Sequence, residues 1–491
     1  MLATALARMS RNGVSAAFAR TSAVAAHMST STQAVPLEQL VLYESNGATR
    51  TYVLNRASKL NALNSDMFKS LRPQLEQWSK SDLCKIVVGT GIGRAFCAGG
   101  DIATVLQHSL EDDTRSKAIE FFKDEFEMNY ILSALPKPYV TILDGITMGG
   151  GVGLAISAPF RVATEKSLFA MPETKIGYCP DVGASFFLSR IDGEIGTYLA
   201  LTSETLAGRE VFELGFATHF VSSRTVPNLL NRLSDLEDPS SAVIDRTIED
   251  HHAKRLPDEP VGKLTGRTRQ ALDFAFRHDT VEEIVEDLTK LTSTSDDTVA
   301  KWASDTLKTL YMRSPTSLKV ALEAVRRGKT MTLLEALQME MGIATAYCSG
   351  ASSDFKAGIT AVLVDKTKGR PAWSPYQIND VTDEILRRFF ASSSSYLSAA
   401  PTLTPPDFLS NVKQNPMKFA LPTEDAILQF VKARKDLPLS DLLTHFDNLH
   451  SGKQGVAEKV VEVVKRRCDV IGNQGFEVIT KSNSNSHSLL P

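Results

Sequence analysis

Two hydrophobic rhythms run along this chain, and the switch between them marks its parts. "LEQLVLYESNGATRTYVLN", beginning at Leu37, has two β-rich runs around Asn46-Gly47, a pair that tolerates positive φ and predicts a hairpin. Residues 65–79 then place Met67, Leu71, Leu75 and Trp78 at helical spacing, with Asn64 as N-cap. "KIVVG" (85–89) and the run Tyr139–Leu143 read as buried strands. Each leads into glycine, "TGIGRAFCAGGD" after the first and "MGGGVG" (148–153) after the second. Strand, glycine turn, helix, strand, glycine turn predicts an α/β core with two similar strand-exit loops.

From about residue 245 the pattern turns helical. Residues 280–291 put Val281, Ile284, Leu288 and Leu291 on one face, and "TSLKVALEAVRRG" predicts a helix stopped by Gly328. "ASSSSYLSAAPTLTPPD" is rich in serine and proline and reads as a linker. Beyond it, three helices are predicted, separated by Pro438 and by Gly452 to Gly455, the first announced by Thr423-Glu424-Asp425. A β-like "FEVIT" follows. The only basic cluster there is Lys465, Arg466 and Arg467, so the extension reads as a small protein-interaction module, with nucleic-acid contact unlikely.

Composition narrows the function class. A chain of 491 residues with formal charge −3 and ordinary apolar content suits a globular protein whose partners are small molecules or other proteins. The five cysteines are widely spaced and form no Cys-x-x-Cys, which argues against a disulfide framework or a zinc site. No apolar run approaches the ~18 residues of a membrane span. From Met1 to Leu37 the chain carries Arg8, Arg11 and Arg20 with no acidic residue before Glu38, the composition of a mitochondrial transit peptide.

The glycine loops do not fit phosphate cradles. "GTGIGR" has Arg94 where a dinucleotide fingerprint needs its last glycine, "GGGVGL" fails the same spacing, and no Lys-Ser/Thr follows either. Glycine also lets a backbone N–H approach a reacting atom, and two such donors make an oxyanion hole. Downstream, Glu173 follows Pro172 and Asp181 follows Pro180 in an otherwise small or apolar stretch. Partial burial can drive such a pair of carboxylates to different protonation states; two N-capping acids are the plainer alternative.

"RAFCAGGD" (94–101), "KPYVTILDGITMGGGVGL" (137–154), "FRVATEKSLFAMPET" (160–174) and "IGYCPDVGAS" (176–185) together resemble the crotonase superfamily, the enoyl-CoA hydratase/isomerase group, and within it the branch of 3-hydroxyisobutyryl-CoA hydrolases. The likeness covers roughly 36–390. It implies an α/β, crotonase-like spiral of ββα units with a helical C-terminal part, to which a small, mostly helical extension is added. The implied parts are a transit peptide (1–33), an acyl-CoA-binding core (34–245), a helical part (246–390), a linker (391–420) and an extension (421–491).

The resemblance also implies roles. Ala98 and Gly150 would supply the two oxyanion N–H groups, Glu173 would attack the thioester or activate a water, and Asp181 would protonate the leaving group or orient the substrate. Glu125 would sit near the substrate, at the acyl hydroxyl, where the plainer reading is an exposed acid on an amphipathic helix. Hydratases of this superfamily carry a glutamate where this chain has Gly153, which disfavours hydration. Lys59, Ala62, Leu63, Asp101 and Ile102 would bind CoA, although Ala57 stands where relatives commonly have proline. CoA is part of the substrate, and no metal or other cofactor is implied. His108 and His219 read as structural. The alternatives are an enoyl-CoA hydratase/isomerase, or a hydrolase-like component of a mitochondrial assembly such as the ribosome that docks through the extension.

Overall fold

The computed structural model describes residues 39–406, 415–434, 437–471 and 475–479; the expected transit peptide lies outside them. β1 (Val41–Asn46) and β2 (Thr49–Leu54) form the predicted antiparallel hairpin, turned at Gly47 with φ +47°. The predicted helix runs Ser65–Lys80, and the Asn64 side chain accepts from Met67 N at 3.0 Å. Strands then come in pairs: β3 (Ile86–Gly91) with β4 (Ala95–Cys97), β5 (Tyr139–Leu143) with β6 (Ile146–Met148), and β7 (Phe160–Ala163) with β8 (Leu168–Ala170). The short β9 (Leu206–Ala207) and β10 (His219–Phe220) close the series.

The first strand of each pair joins a six-stranded sheet of order β1-β2-β3-β5-β7-β10. The second joins a four-stranded sheet of order β4-β6-β8-β9. A helix or helical turn follows each pair: Ile102–Ser109, Gly150–Ala155 and Glu173–Ile176. This is the expected spiral of ββα units. The central strands β3, β5 and β7 of the large sheet are mostly apolar because both of their faces are covered; Val88, Val140, Ile142 and Phe160 pack with Leu229, Leu233, Ile244 and Ile248.

Two long helices frame the site. Arg115–Ser133 and Leu333–Cys348 pack on each other, and the second starts from a capping box between Thr332 and Glu335. The segment expected to be a free linker is instead held down where it is described. Gln338 bonds Pro401 O and Leu403 N, and Thr404 N donates to buried Glu127 at 2.9 Å. Serine and proline content predicted solvation, but backbone N–H and C=O groups with partners on two helices fix this stretch.

The extension has the predicted three helices, Glu424–Ala433, Leu439–Leu449 and Val456–Arg467, with a hairpin of β11 (Cys468–Ile471) and β12 (Gly475–Val478). Its contacts with the core are charged and buried. Glu424 accepts from Arg269 (3.1 Å), Arg466 (2.8 Å) and Arg467 (2.6 Å), so two of the three residues in the basic cluster serve this joint. Lys453 pairs with Glu249. Phe419 stacks on Phe160 at 4.6 Å, and the fully buried Arg161 donates to Ala158 O, Phe216 O and, at 2.7 Å, Pro416 O. His219, expected to be structural, lies buried between Thr218 and Asp245, its pKa pushed down to about 3 by burial and the charge of Lys453.

Candidate active site

Three successive ββα turns deliver the site to the exits of β4, β6 and β8. Parallel pairing of β6 with β8 sets Met148 beside Ala170, and Gly149 N donates to Ala170 O at 3.3 Å. Gly149 has φ +49° and Gly99 φ +112°, conformations that a side chain would strain.

The oxyanion donors differ from expectation at one position. Ala98 N donates to Leu60 O at 3.0 Å, so that N–H is engaged in holding a loop. The parallel bridge between Leu63 and Gly100 explains the difference. Leu63 N bonds Gly99 O and Asp101 N bonds Leu63 O, both at 2.8 Å, which leaves the N–H of Gly100 without a protein acceptor among the described residues. Gly150, at the start of its helix, is likewise free. A Cβ built on Gly150 would lie 3.3 Å from Gly100 N and would collide with Glu125 Oε1. Gly100 and Gly150 therefore present two donors side by side, the arrangement that stabilises a developing oxyanion by about 3 to 4 kcal/mol per donor.

Carboxylates crowd this pair of donors. Glu125 is 2% exposed, so the reading of a surface acid falls; the polar neighbours that suggested it include Glu127, itself buried under Arg72, Lys123 and Thr404. Glu173 Oε1 lies 2.9 Å from the Cβ position of Gly149, and its Oε2 and Glu125 Oε1 have no hydrogen-bond partner. Burial first, then the charge of Asp181, raises the pKa of both glutamates well above normal. Asp181 is raised by burial and by Glu340. The geometry thus brings Glu125, Gly150, Glu173 and Asp181 together, surrounded by acids rather than cations.

Several site residues escaped the sequence reading. Glu340 accepts from Gly183 N (2.7 Å), Ser185 N (2.9 Å) and Ser185 Oγ (2.6 Å), clamping the turn after Asp181. Burial, partly offset by these bonds, lifts its pKa to about 7. Its signal was an acid inside the apolar stretch "LQMEMG". Val182 holds φ +56°, a strained state for a β-branched residue. With Asn129 it fills the space beside Gly153, where a Cβ would stand 2.6 Å from both Val182 Cβ and Asn129 Nδ2. Gly153→Ala is expected to lower stability by about 1 to 3 kcal/mol through overpacking, read as a fall in Tm; an unchanged Tm would show that the pocket gives way.

The proposed CoA contacts gather at one rim but use their backbone differently from expectation. Ala62 N bonds Lys59 O, Ala62 O accepts from Arg56, and both backbone groups of Leu63 are taken by the Gly100 bridge. Asp101 pairs with Arg56 at 2.8 Å. Lys59 stands exposed, and Ile102 opens the helix beside it. The rim thus offers the charge of Lys59 and the surface of the turn, not free amides of Ala62 and Leu63.

A family model described as Enoyl-CoA hydratase/isomerase matches residues 49–390. The chain is 40% identical to the mitochondrial 3-hydroxyisobutyryl-CoA hydrolase of Rattus norvegicus, over 72% of this chain and 89% of that protein. It is 38% identical to small ribosomal subunit protein mS47 of Neurospora crassa, over 87% of this chain and 85% of that protein. Among solved structures it is similar to a carnitinyl-CoA dehydratase from Mycobacterium thermoresistibile, with TM-score 0.64 and 31% identity over 74% of this chain and 99% of the other.

Proposed function

The chain belongs to the enoyl-CoA hydratase/isomerase family, and from that premise we propose that it hydrolyses 3-hydroxyisobutyryl-CoA to 3-hydroxyisobutyrate and CoA, in the mitochondrion, as a step of valine breakdown. The observation that carries this reading is the combination at one point of two free N–H donors, a buried Glu173 and a Gly153 position closed by Asn129 and Val182. Hydratases of this superfamily use a second acid at the position of Gly153, and a side chain there has no room beside Asn129 and Val182. Acyl transfer to water needs one base, one proton donor and an oxyanion hole.

In the proposed reaction the thioester carbonyl oxygen rests on the N–H groups of Gly100 and Gly150. Glu173 takes a proton from the water that forms the new C–O bond, or itself attacks to give an acyl-enzyme that water opens. The C–S bond breaks, and Asp181, whose raised pKa suits it to hold a proton, protonates the departing thiolate. Lys59 at the rim would face the CoA phosphates.

A second reading rests on a specific observation. The likeness to mS47 leaves out about 64 residues of this chain, fewer than the 71 of residues 421–491, so it enters the extension that the family model does not reach. A role in the small mitochondrial ribosomal subunit is compatible with an intact site. The deciding experiment measures thiol release from 3-hydroxyisobutyryl-CoA by the purified chain, with hydration of crotonyl-CoA in parallel and co-sedimentation with the small ribosomal subunit. Thiol release without hydration is the expected result. Hydration alone overturns the hydrolase, and silence toward both substrates together with co-sedimentation replaces it by the ribosomal role.

A further inference from the structure

Asn129 is 2% exposed, and neither Oδ1 nor Nδ2 has a hydrogen-bond partner. A buried amide left unpaired on both sides is costly, so the position calls for a polar partner, an ordered water or a group of the substrate. Its surroundings say where that partner lies. On the helix Arg115–Ser133, Asn129 stands four residues after Glu125 and therefore on the same face. That face meets the helix Gly150–Ala155, with Glu125 against Gly150 and Asn129 against Gly153.

We propose that Asn129 is a substrate-binding residue whose side-chain amide takes a hydroxyl group on the third carbon of the acyl chain. The proposal rests on the acyl-CoA reading above. A carbonyl oxygen on the N–H of Gly150 fixes one end of the acyl group. Gly153 and the amide beside it are about one helical turn away, ~5 Å, the reach of a three-carbon acyl chain. Val182 Cβ lies equally close and Glu125 borders Gly150 instead, so Asn129 is the polar side chain at the Gly153 position. An amide offers one acceptor and donors on a single plane, and a hydroxyl, which both donates and accepts, satisfies both. A methyl group would satisfy neither. Being neutral, the amide binds the hydroxyl without moving a proton. Gly153 is part of the same device, because any Cβ there would displace Asn129.

The test compares 3-hydroxyisobutyryl-CoA with isobutyryl-CoA, which lacks only the hydroxyl. Turnover is followed for both, and binding is followed with non-hydrolysable thioether analogues of both. Asn129→Leu is expected to lower kcat/KM and affinity for the hydroxylated compounds about 10- to 100-fold or more, and to leave the isobutyryl compounds within about twofold. An equal loss on both pairs means a structural role and overturns the proposal. Should the variant not fold, the side-chain amide resonance of Asn129 in the unaltered chain, labelled on asparagine, replaces it. It is expected to shift with the hydroxylated analogue and not with the other, and the same shift with both overturns the proposal. Selective binding without turnover keeps the proposal and removes the hydrolase; turnover without selectivity does the reverse.

Discussion

Glu173→Gln is expected to slow thiol release at saturating substrate by about 10²- to 10⁴-fold, the range for removing a positioned base, while KM changes little. Glutamine keeps the shape and burial of the side chain, so the two N–H donors and the contact at Gly149 persist and only the basic oxygen is lost. Stability supplies the control. Burial and Asp181 raise the pKa of Glu173 in the folded state, so the protonated acid favours folding. That contribution is present below the ordinary carboxylate pKa and is lost as pH rises through the raised value. The variant carries no such charge, and its Tm is expected to equal or exceed that of the parent at alkaline pH. Activity has the opposite slope, rising with pH as Glu173 ionises, along a limb displaced above the ordinary carboxylate range. Glu340→Gln removes one repelling charge and is expected to move that limb downward. A Glu173→Gln chain that retains more than a tenth of the rate would place the chemistry elsewhere.

Glu424→Ala is expected to cost about 3 to 5 kcal/mol in folding, the range for opening a buried ion pair from one side. Three arginines converge on this carboxylate, and two of them, Arg269 and Arg466, are almost wholly buried. Burial alone would raise its pKa, but the hydrogen bonds and charge of Arg466, with Arg269 and Arg467, bring it down to about 2. The pKa is depressed, so the stabilisation is full above the unfolded value near 4.5 and disappears as pH falls through 2. The shift corresponds to about 3 kcal/mol. Denaturant titration of parent and variant at pH 7 and pH 3 checks both statements: the difference should be large at the first and smaller at the second. Equal midpoints at pH 7 would mean that the extension does not depend on this joint.

Local rules read this chain well where one segment decides the outcome. The Asn46-Gly47 hairpin, the Asn64 cap and the helix beginning after Thr280 depend on neighbours in sequence, and they stand as predicted. The positions of Glu125, Gly150, Glu173 and Asp181 were legible through motif likeness. What escaped depends on distant partners. Whether Ala98 or Gly100 offers a free N–H is decided by the register of a bridge to Leu63. Residues 401–404 have a linker's composition, yet Gln338 and Glu127 hold them. Asn129 sat unremarked four residues from Glu125, since helical spacing reveals a shared face but not an empty partner list.

The guanidinium of Arg161 draws its last backbone acceptor from 255 residues further along the chain. On a translating ribosome, β7 emerges long before Pro416 does, so the core must wait with one of its most buried charges incompletely met. Synthesis therefore includes a late closure step, in which Pro416 completes the hydrogen bonds of a guanidinium laid down much earlier. A message cut short before codon 416 is expected to yield a protein that cellular proteases recognise as unfinished, even with every residue of its catalytic centre in place.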